Sequence, residues 1–173
     1  MYTEVILVDQ EDQEIGAMEK LEAHRQGLLH RAFSVFILNK EGEMLLHQRA
    51  SQKYHSPDLW TNACCSHPAP GETTLDAAKR RLQEEMGFSC ELTEIDSFVY
   101  RVQFENGLIE HEYDHLFLGF YSGEIKNNPQ EVRGYKFLTL SEIDRLLDEN
   151  EEAFSFWFRI AYPQIKEYLS DKT

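Results

Sequence analysis

The sequence predicts an α+β fold in one domain, a sheet covered by helices, on three observations. Apolar runs of strand length come in pairs joined by turn signals, Asn39-Lys40-Glu41-Gly42 in one pair and Glu105-Asn106-Gly107 in another. Leu75, Ala78, Leu82 and Met86 recur at spacings of three and four, the stripe of a helix lying on a core. Glycine and proline are scattered, with no repeat, low-complexity stretch or linker. The 173 residues therefore read as a single domain over 1–173, with room for one core and not two. Strands and helices are mixed, with several antiparallel hairpins, which is the α+β pattern.

Taken in order, Thr3–Val8 reads as a strand closed by the polar turn Asp9–Glu14. Met18–Gln26 is polar and short, enough for one or two helical turns. Phe33–Leu38 is a continuous apolar run, the pattern of a buried strand, and Met44–Gln48 returns as its partner. A loop, Ala50–Leu59, carries Pro57. Trp60–Cys65 is short and apolar and stops at Ser66-His67-Pro68-Ala69-Pro70-Gly71. Thr73 or Thr74 can cap the helix that runs to Met86, and Gly87 stands where a C-terminal glycine belongs. Ser97–Phe104 and Leu108–Tyr121 form the second hairpin, and Glu131–Leu138 is a further strand. Ser141, with Asp144 three residues on, is expected to cap a helix Glu142–Leu147. The aromatic segment Ala153–Leu169 reads as a last helix, bent or broken near Pro163.

Apolar residues make up 42% of the chain and aromatics 12%, which argues against disorder. The 17 basic and 31 acidic residues leave a net charge of −14, which argues against non-specific binding of nucleic acid or of an anionic membrane. A small anionic substrate stays open, because surface charge is screened within roughly 8 Å at physiological salt. Local cations must then capture it. Three cysteines, Cys64, Cys65 and Cys90, are an odd number with two adjacent; they make no disulfide framework and fit a reducing compartment. The start, MYTEVILVDQ, has no basic n-region and too short an apolar run for a signal peptide, and no stretch approaches the ~20 apolar residues of a membrane span. The expectation is a cytoplasmic protein, a monomer with a dimer left open, that acts on a small molecule.

Glu110, Glu112 and Asp114 alternate along a strand, so period two puts three carboxylates on one face. Either solvent screens them or a cation sits among them. Leu116, Leu118 and Phe120 continue that face as apolar, which predicts that it is covered. His67 ends an apolar strand, where reactive groups sit on a scaffold. Cys64 and Cys65 point to opposite faces of a strand, one to the core and one to a site; in register, Cys65 shares its face with His67. A zinc knuckle from Cys-Cys-x-His matches the usual ligand spacing poorly. His24 and His30 say little as a pair, and His47, His55, His111 and His115 are read as non-catalytic. Arg80–Glu84 and Arg81–Glu85 are i,i+4 pairs that a solvated helix face would also show, at a few tenths of a kcal/mol each. Lys20, Arg49 and Lys53 read by themselves as surface cations.

Trp60-Thr61-Asn62-Ala63-Cys64-Cys65-Ser66-His67-Pro68 resembles the active-site segment of type 1 isopentenyl-diphosphate isomerases. Glu110-His111-Glu112-Tyr113-Asp114 resembles that family's second signature, and Glu22-Ala23-His24 and Leu29-His30-Arg31-Ala32-Phe33 match in the same order. The resemblance runs from Lys20 to about Trp157. The helix and its flanks also resemble a degenerate Nudix box, G-x5-E-x7-R-E-U-x-E-E-x-G-U. The chain supplies Glu72, Arg80, Leu82, Glu84 and Glu85, but has Ser66 for the box glycine and Arg81 for a glutamate. The implied fold is a Nudix-like mixed sheet flanked by helices. The implied reaction moves the double bond of isopentenyl diphosphate to give dimethylallyl diphosphate. Diphosphate hydrolysis is the alternative, and Arg81 weakens it, since a base in that place favours holding a phosphate over loading metals to cleave one.

Position by position, the resemblance implies that His24, His30, His67, Glu110 and Glu112 hold one tightly bound divalent metal, manganese, zinc or magnesium. Cys65 and Glu112 match the two catalytic groups, with Tyr100 beside them. Glu85, with the main-chain carbonyl of Cys65, matches the site of a magnesium that arrives with the diphosphate. Lys20, Arg49, Lys53 and Arg81 match basic residues near that diphosphate. Trp157 matches an aromatic over the hydrocarbon tail, where an indole face attracts a carbocation by about 2 kcal/mol when desolvated. Which of Cys65 and Glu112 gives the proton and which takes it stays open, and Asp114 is assigned no role.

Overall fold

The computed structural model describes residues 3–172. Its hub is β3 (His30–Leu38), whose residues from Ala32 to Leu38 are all buried, as expected of a strand covered on both faces. β3 runs parallel to β8 (Ile109–Phe120), from His30↔Glu112 to Leu38↔Phe120, and antiparallel to the short β6 (Cys64–Ser66). β7 (Leu92–Gln103) continues the sheet as the antiparallel partner of β8. On the other side β1 (Glu4–Val8) meets β3 at Leu7↔His30 and pairs with β2 (Glu14–Glu19). β4 (Met44–Arg49) adjoins β3 at Leu38↔Met44 and carries β5 (Trp60–Thr61) and β9 (Val132–Leu138).

Each face of the sheet has its own apolar cluster. α2 (Thr74–Met86) lays Ala77, Ala78, Leu82 and Met86 on Phe33, Val35, Cys64 and Phe117. On the opposite face, α3 (Leu140–Asn150) and α4 (Phe156–Asp171) pack Ile143, Phe158, Ala161 and Ile165 on Phe36, Leu46, Leu116 and Leu118. This is the predicted mixed sheet flanked by helices.

Several elements differ from expectation for identifiable reasons. Glu14–Glu19 is a strand, not the end of a turn, because its backbone pairs along β1 although four of its six residues are exposed. α1 (Lys20–Gln26) therefore starts later than Met18. The Glu19 carboxylate accepts the amides of Leu21 and Glu22, and Gly27 closes the helix at φ 66°. Thr73, not Thr74, caps α2. Gly87 ends it at φ 76°, where a Cβ would lie 2.3 Å from the Lys126 carbonyl oxygen. Leu75, counted in the core stripe, sits in the first turn of α2 and is 37% exposed, and Ala77 takes the inward place. β7 begins at Leu92 instead of Ser97; a bulge between Glu94 and Asp96 broke the alternation that would have marked it. Phe120, at the end of β8, is 64% exposed, so the apolar face stops at Leu118.

α3 is capped by a reciprocal box between Thr139 and Glu142 instead of Ser141 and Asp144. Asp144 accepts hydrogen bonds from Tyr162 and Lys166. α4 starts at Phe156, after a 3-10 turn over Glu151–Ala153, and runs through Pro163 unbroken. Burial of Tyr162 and Ile165 on either side of the proline holds it to the core.

Leu82→Ala should cost about 2–5 kcal/mol in denaturant unfolding, the usual range for a filled core position. Leu75→Ala should change stability by less than about 0.5 kcal/mol. Equal costs would show that the apolar stripe is the one read from spacing.

Candidate active site

Three adjacent strands present one group of polar side chains. β6 supplies Cys65, β3 supplies His30 and Ser34, and β8 supplies Glu110, Glu112 and Asp114, all three carboxylates buried on one face as period two requires. A cavity of about 50 Å³ opens among them. Its walls include Cys65, His67, Tyr100, Glu110, Glu112, Glu85, Arg81, Lys20, Arg49, Lys53 and Trp157, which brings together the residues singled out in the sequence. His24 and His30 lie fully buried directly behind His67. Ring centroids are 4.9 Å apart for His24–His30, 5.7 Å for His24–His67 and 5.0 Å for His30–His67.

The histidines are oriented from behind. Nδ1 of His24 donates to the Lys20 carbonyl at 2.7 Å, and Nδ1 of His30 donates to the Leu28 carbonyl at 2.8 Å. A ring that carries its hydrogen on Nδ1 can offer a lone pair on Nε2. The Nε2 atoms of His24, His30 and His67, and Oε2 of Glu112, are buried without a hydrogen-bond partner among the described residues. Glu112 Oε2 lies 3.4 Å from His67 Nε2 and 3.9 Å from His30 Nε2. The three histidine donor atoms all lie within 4.8 Å of one another. Convergent orphaned lone pairs of this kind suit a divalent cation.

The titration tendencies agree. Burial lowers His30 to about 3, and burial together with Lys20 lowers His67 well below the usual imidazole value. Burial, then the charge of Glu112, raises Glu110 and Asp114 well above the carboxylate range. Without a cation every one of these groups is pushed toward neutrality; a dication among them reverses that pressure on the carboxylates.

The two adjacent thiols are unequal. Cys64 is wholly buried under α2, while Cys65 faces the cavity. Burial, then Asp114, pushes the Cys65 thiol up, against the opposing effect of its hydrogen-bond contacts with Ser34 and Asn62. Its Sγ lies 3.1 Å from Asn62 Oδ1 and 3.5 Å from Ser34 Oγ, and the Ser34 hydroxyl donates to Asp114 at 2.8 Å. Asn62 is locked by donating to the carbonyls of Val35 and Cys64, each at 2.9 Å, and by accepting from Thr61, which in turn accepts from Ser155. Tyr100 spans the carboxylates, 2.9 Å from Glu110 Oε2 and 3.0 Å from Glu112 Oε1.

A wider vestibule of about 420 Å³ leads inward past Lys20, Lys53, Arg80 and Arg81. Arg81 donates to Glu84 and to the buried Glu85, both at 2.6 Å, and lies 3.3 Å from Glu131. Lys53 pairs with the same Glu131. Lys20 is pressed to release its proton by burial, then by Lys53 and Arg81. Arg49 is less free than expected: it donates to the carbonyls of Ser56 and His55 and lies 5.1 Å from the Trp157 ring. Glu72 and Arg80 of the box form a two-point ion pair, with Glu72 also accepting the Ala69 amide, and so tie the loop before α2 to the helix.

Sequence reasoning missed three neighbours of the site, His55, Ser34 and Glu131, and left a fourth, Asp114, without a role. His55, read as non-catalytic, lies in the cavity wall 3.1 Å from Glu110. Asp114 and Ser34 flank Cys65, and Glu131 joins the cations. Period two marked Asp114; the loop positions of His55 and Glu131 carry no such pattern. His47, by contrast, is buried and donates to the Ala63 carbonyl, while His111 and His115 lie on the other face of β8.

A family model of the NUDIX domain matches residues 28–158, and with the sheet, α2 and its box this defines the chain as a Nudix protein. The chain is 49% identical to isopentenyl-diphosphate Delta-isomerase of Pectobacterium atrosepticum, over 96% of this chain and 93% of that one. It is 49% identical to the protein of the same name from Serratia proteamaculans, over 89% and 86%. Within the Nudix class it belongs to the isopentenyl-diphosphate isomerase family. Among solved structures, DR0079 from Deinococcus radiodurans shares the fold with a TM-score of 0.76 at 18% identity, covering 92% of this chain and 98% of that one. The MutT protein from Methanosarcina mazei does so with a TM-score of 0.66 at 16% identity, over 81% and 94%.

Asn62→Ala removes the lock on Cys65 and strands buried polar groups. It should destabilise the protein by about 1–3 kcal/mol in denaturant unfolding. A loss below about 0.5 kcal/mol would show that the Ser155–Thr61–Asn62 chain carries no weight.

Proposed function

We propose that this protein interconverts isopentenyl diphosphate and dimethylallyl diphosphate by adding a proton to the alkene at one carbon and removing another proton from a different carbon. The observation that carries the reading is the pairing of a thiol, Cys65, with a carboxylate, Glu112, on the walls of one cavity bordered by Trp157. An unactivated alkene is a very weak base, and its protonation creates a tertiary cation. The site must therefore exclude water and offer electron density to positive charge. Trp157 supplies an indole face, and the cavity supplies an acid and a base on fixed strands. Tyr100 bridges Glu110 and Glu112 and donates its one proton toward the pair.

His24, His30, His67, Glu110 and Glu112 would hold one divalent metal, with manganese, zinc and magnesium all suited to imidazole and carboxylate donors. When bound, it would supply positive charge beside Glu112 and hold that carboxylate in place. Glu85, with the Cys65 carbonyl, would take a magnesium carried in by the diphosphate. Lys20, Lys53 and Arg81 line the vestibule where that diphosphate would sit, and Arg49 would act by its charge and by holding the 50–59 loop. Unpaired Cys64, Cys65 and Cys90 fit a reducing compartment, which a working thiol needs. Arg81, engaged with Glu84 and Glu85, stands where a hydrolase box has glutamate, which disfavours cleavage of the diphosphate.

Incubation with isopentenyl diphosphate and magnesium should give the allylic isomer by NMR; release of phosphate instead would replace this reading with hydrolysis. Cys65→Ala should abolish isomerisation with the fold intact, whereas Cys64→Ala should keep most activity and cost about 1 kcal/mol of stability. Equal losses in two folded variants would contradict the assignment of Cys65.

Arg81→Ala should raise KM for isopentenyl diphosphate by roughly 10- to 150-fold, with kcat falling less, because a charge-assisted contact to the diphosphate is lost. An unchanged KM would reduce Arg81 to a helix-surface partner of Glu85.

A further inference from the structure

One group in the cavity wall has no part in the reaction described above. His55 is 8% exposed, and its Nε2 stands 3.1 Å from Glu110 Oε1. Its ring is clamped, stacked on Phe104 at 5.2 Å and 10°, and edge-on to Trp157 at 5.9 Å. Its backbone is clamped too. Arg49 holds the carbonyls of His55 and Ser56, and Ser56 and Asp58 adopt φ of 49° and 63°, left-handed conformations that persist in non-glycine residues where the surroundings enforce them.

We propose that His55 is a positioning residue for Glu110: its Nε2–H fixes one carboxylate oxygen, so that the carboxylate keeps its aim at the donor cluster formed with His24. This rests on the metal site proposed above. The need arises from Tyr100, which has one proton and faces two carboxylates, Glu110 Oε2 at 2.9 Å and Glu112 Oε1 at 3.0 Å. A second donor on Glu110 releases Tyr100 to serve Glu112.

The nitrogen involved can be identified. Ser56 Oγ lies 3.4 Å from Nδ1, so its hydroxyl can donate there and leave the ring hydrogen on Nε2. Donor atoms of His24, His55 and Glu110 also lie within 4.8 Å of one another, a spacing that direct ligation would satisfy. The Nε2 atoms of His24, His30 and His67 are without partners, however, whereas that of His55 is already engaged with Glu110. Groups that orient a ligating carboxylate in this way typically change metal affinity 10- to 100-fold when removed.

The test compares wild type, His55→Leu and His55→Gln, each loaded with Mn2+ and dialysed against a graded series of chelator, with manganese per chain measured at each step. A glutamine amide brings an N–H to the place of Nε2–H and is a poor replacement for an imidazole ligand. His55→Leu should lose manganese at 10- to 100-fold lower chelator, with kcat reduced and KM for isopentenyl diphosphate little changed. His55→Gln should restore retention to within a few-fold of wild type. If His55→Leu keeps manganese as wild type does, His55 only fills the wall and the proposal fails. If His55→Gln loses it as readily as His55→Leu, the imidazole itself is the ligand and the proposal fails. Should the leucine variant not fold, His55→Asn, whose amide is too short to reach Glu110, takes its place with the same outcomes. A wild type that retains no manganese at any chelator level would overturn the metal site itself, an outcome distinct from the other two.

Discussion

The whole architecture answers to one constraint: imidazoles and carboxylates have been taken out of water together, with lone pairs aimed at a common point. Each unpaired buried polar group costs about 1–3 kcal/mol, and three Nε2 atoms and a carboxylate oxygen share that condition. The fold can hold them only by fixing their other ends. α1 is seven residues long, too short to stand alone, yet it is capped at both ends and delivers His24 with Nδ1 tied to its own first turn. β3 delivers His30 from a strand with no exposed residue at its centre. β8 is held against β3 and β7 along its length, which keeps Glu110, Glu112 and Asp114 in register.

The same constraint explains why the thiol sits where it does. β6 is only three residues long, so strand pairing alone holds it weakly. The chain Ser155–Thr61–Asn62 compensates by anchoring the segment from the opposite face, and the Ser155 amide adds a bond to the Trp60 carbonyl. That anchor also couples the entry of α4 to β5, so the aromatic at its first turn, Trp157, is positioned by the strand segment that leads to Cys65.

What could be read in advance was what has a period. Alternation placed the three carboxylates on one face, set Cys64 and Cys65 on opposite faces, and marked the hairpins. One strand and the start of another escaped because their side chains do not alternate cleanly: β2 lies at an edge and is stabilised by backbone pairing, and the first part of β7 carries a bulge. The cap of α3 was misassigned by two residues because Thr139 and Ser141 both suit the role, and only the side-chain geometry of Glu142 decides. The gathering of His24, His30 and His67 could not be derived from spacing, since three separate elements bring them together; the family resemblance supplied it. His55 and Glu131 lie in irregular segments where neither pattern nor motif points to them.

Glu131 has a consequence for how anions enter. Lys53 and Arg81 come from different parts of the fold, and each is already matched to this one carboxylate, which they hold ionised despite its burial. The vestibule is thus a loaded ion exchanger and not an open positive trap. An incoming anion gains only the difference between its own contacts and those of the resident carboxylate. A singly charged ion such as chloride cannot replace both contacts at once and gains little. In the proposed reaction a diphosphate would span the two cations and still carry charge for the magnesium proposed at Glu85. In a chain of net charge −14, the proposed diphosphate site would thus use a handful of cations as a filter for multivalent phosphates, without a field that would draw in every anion nearby.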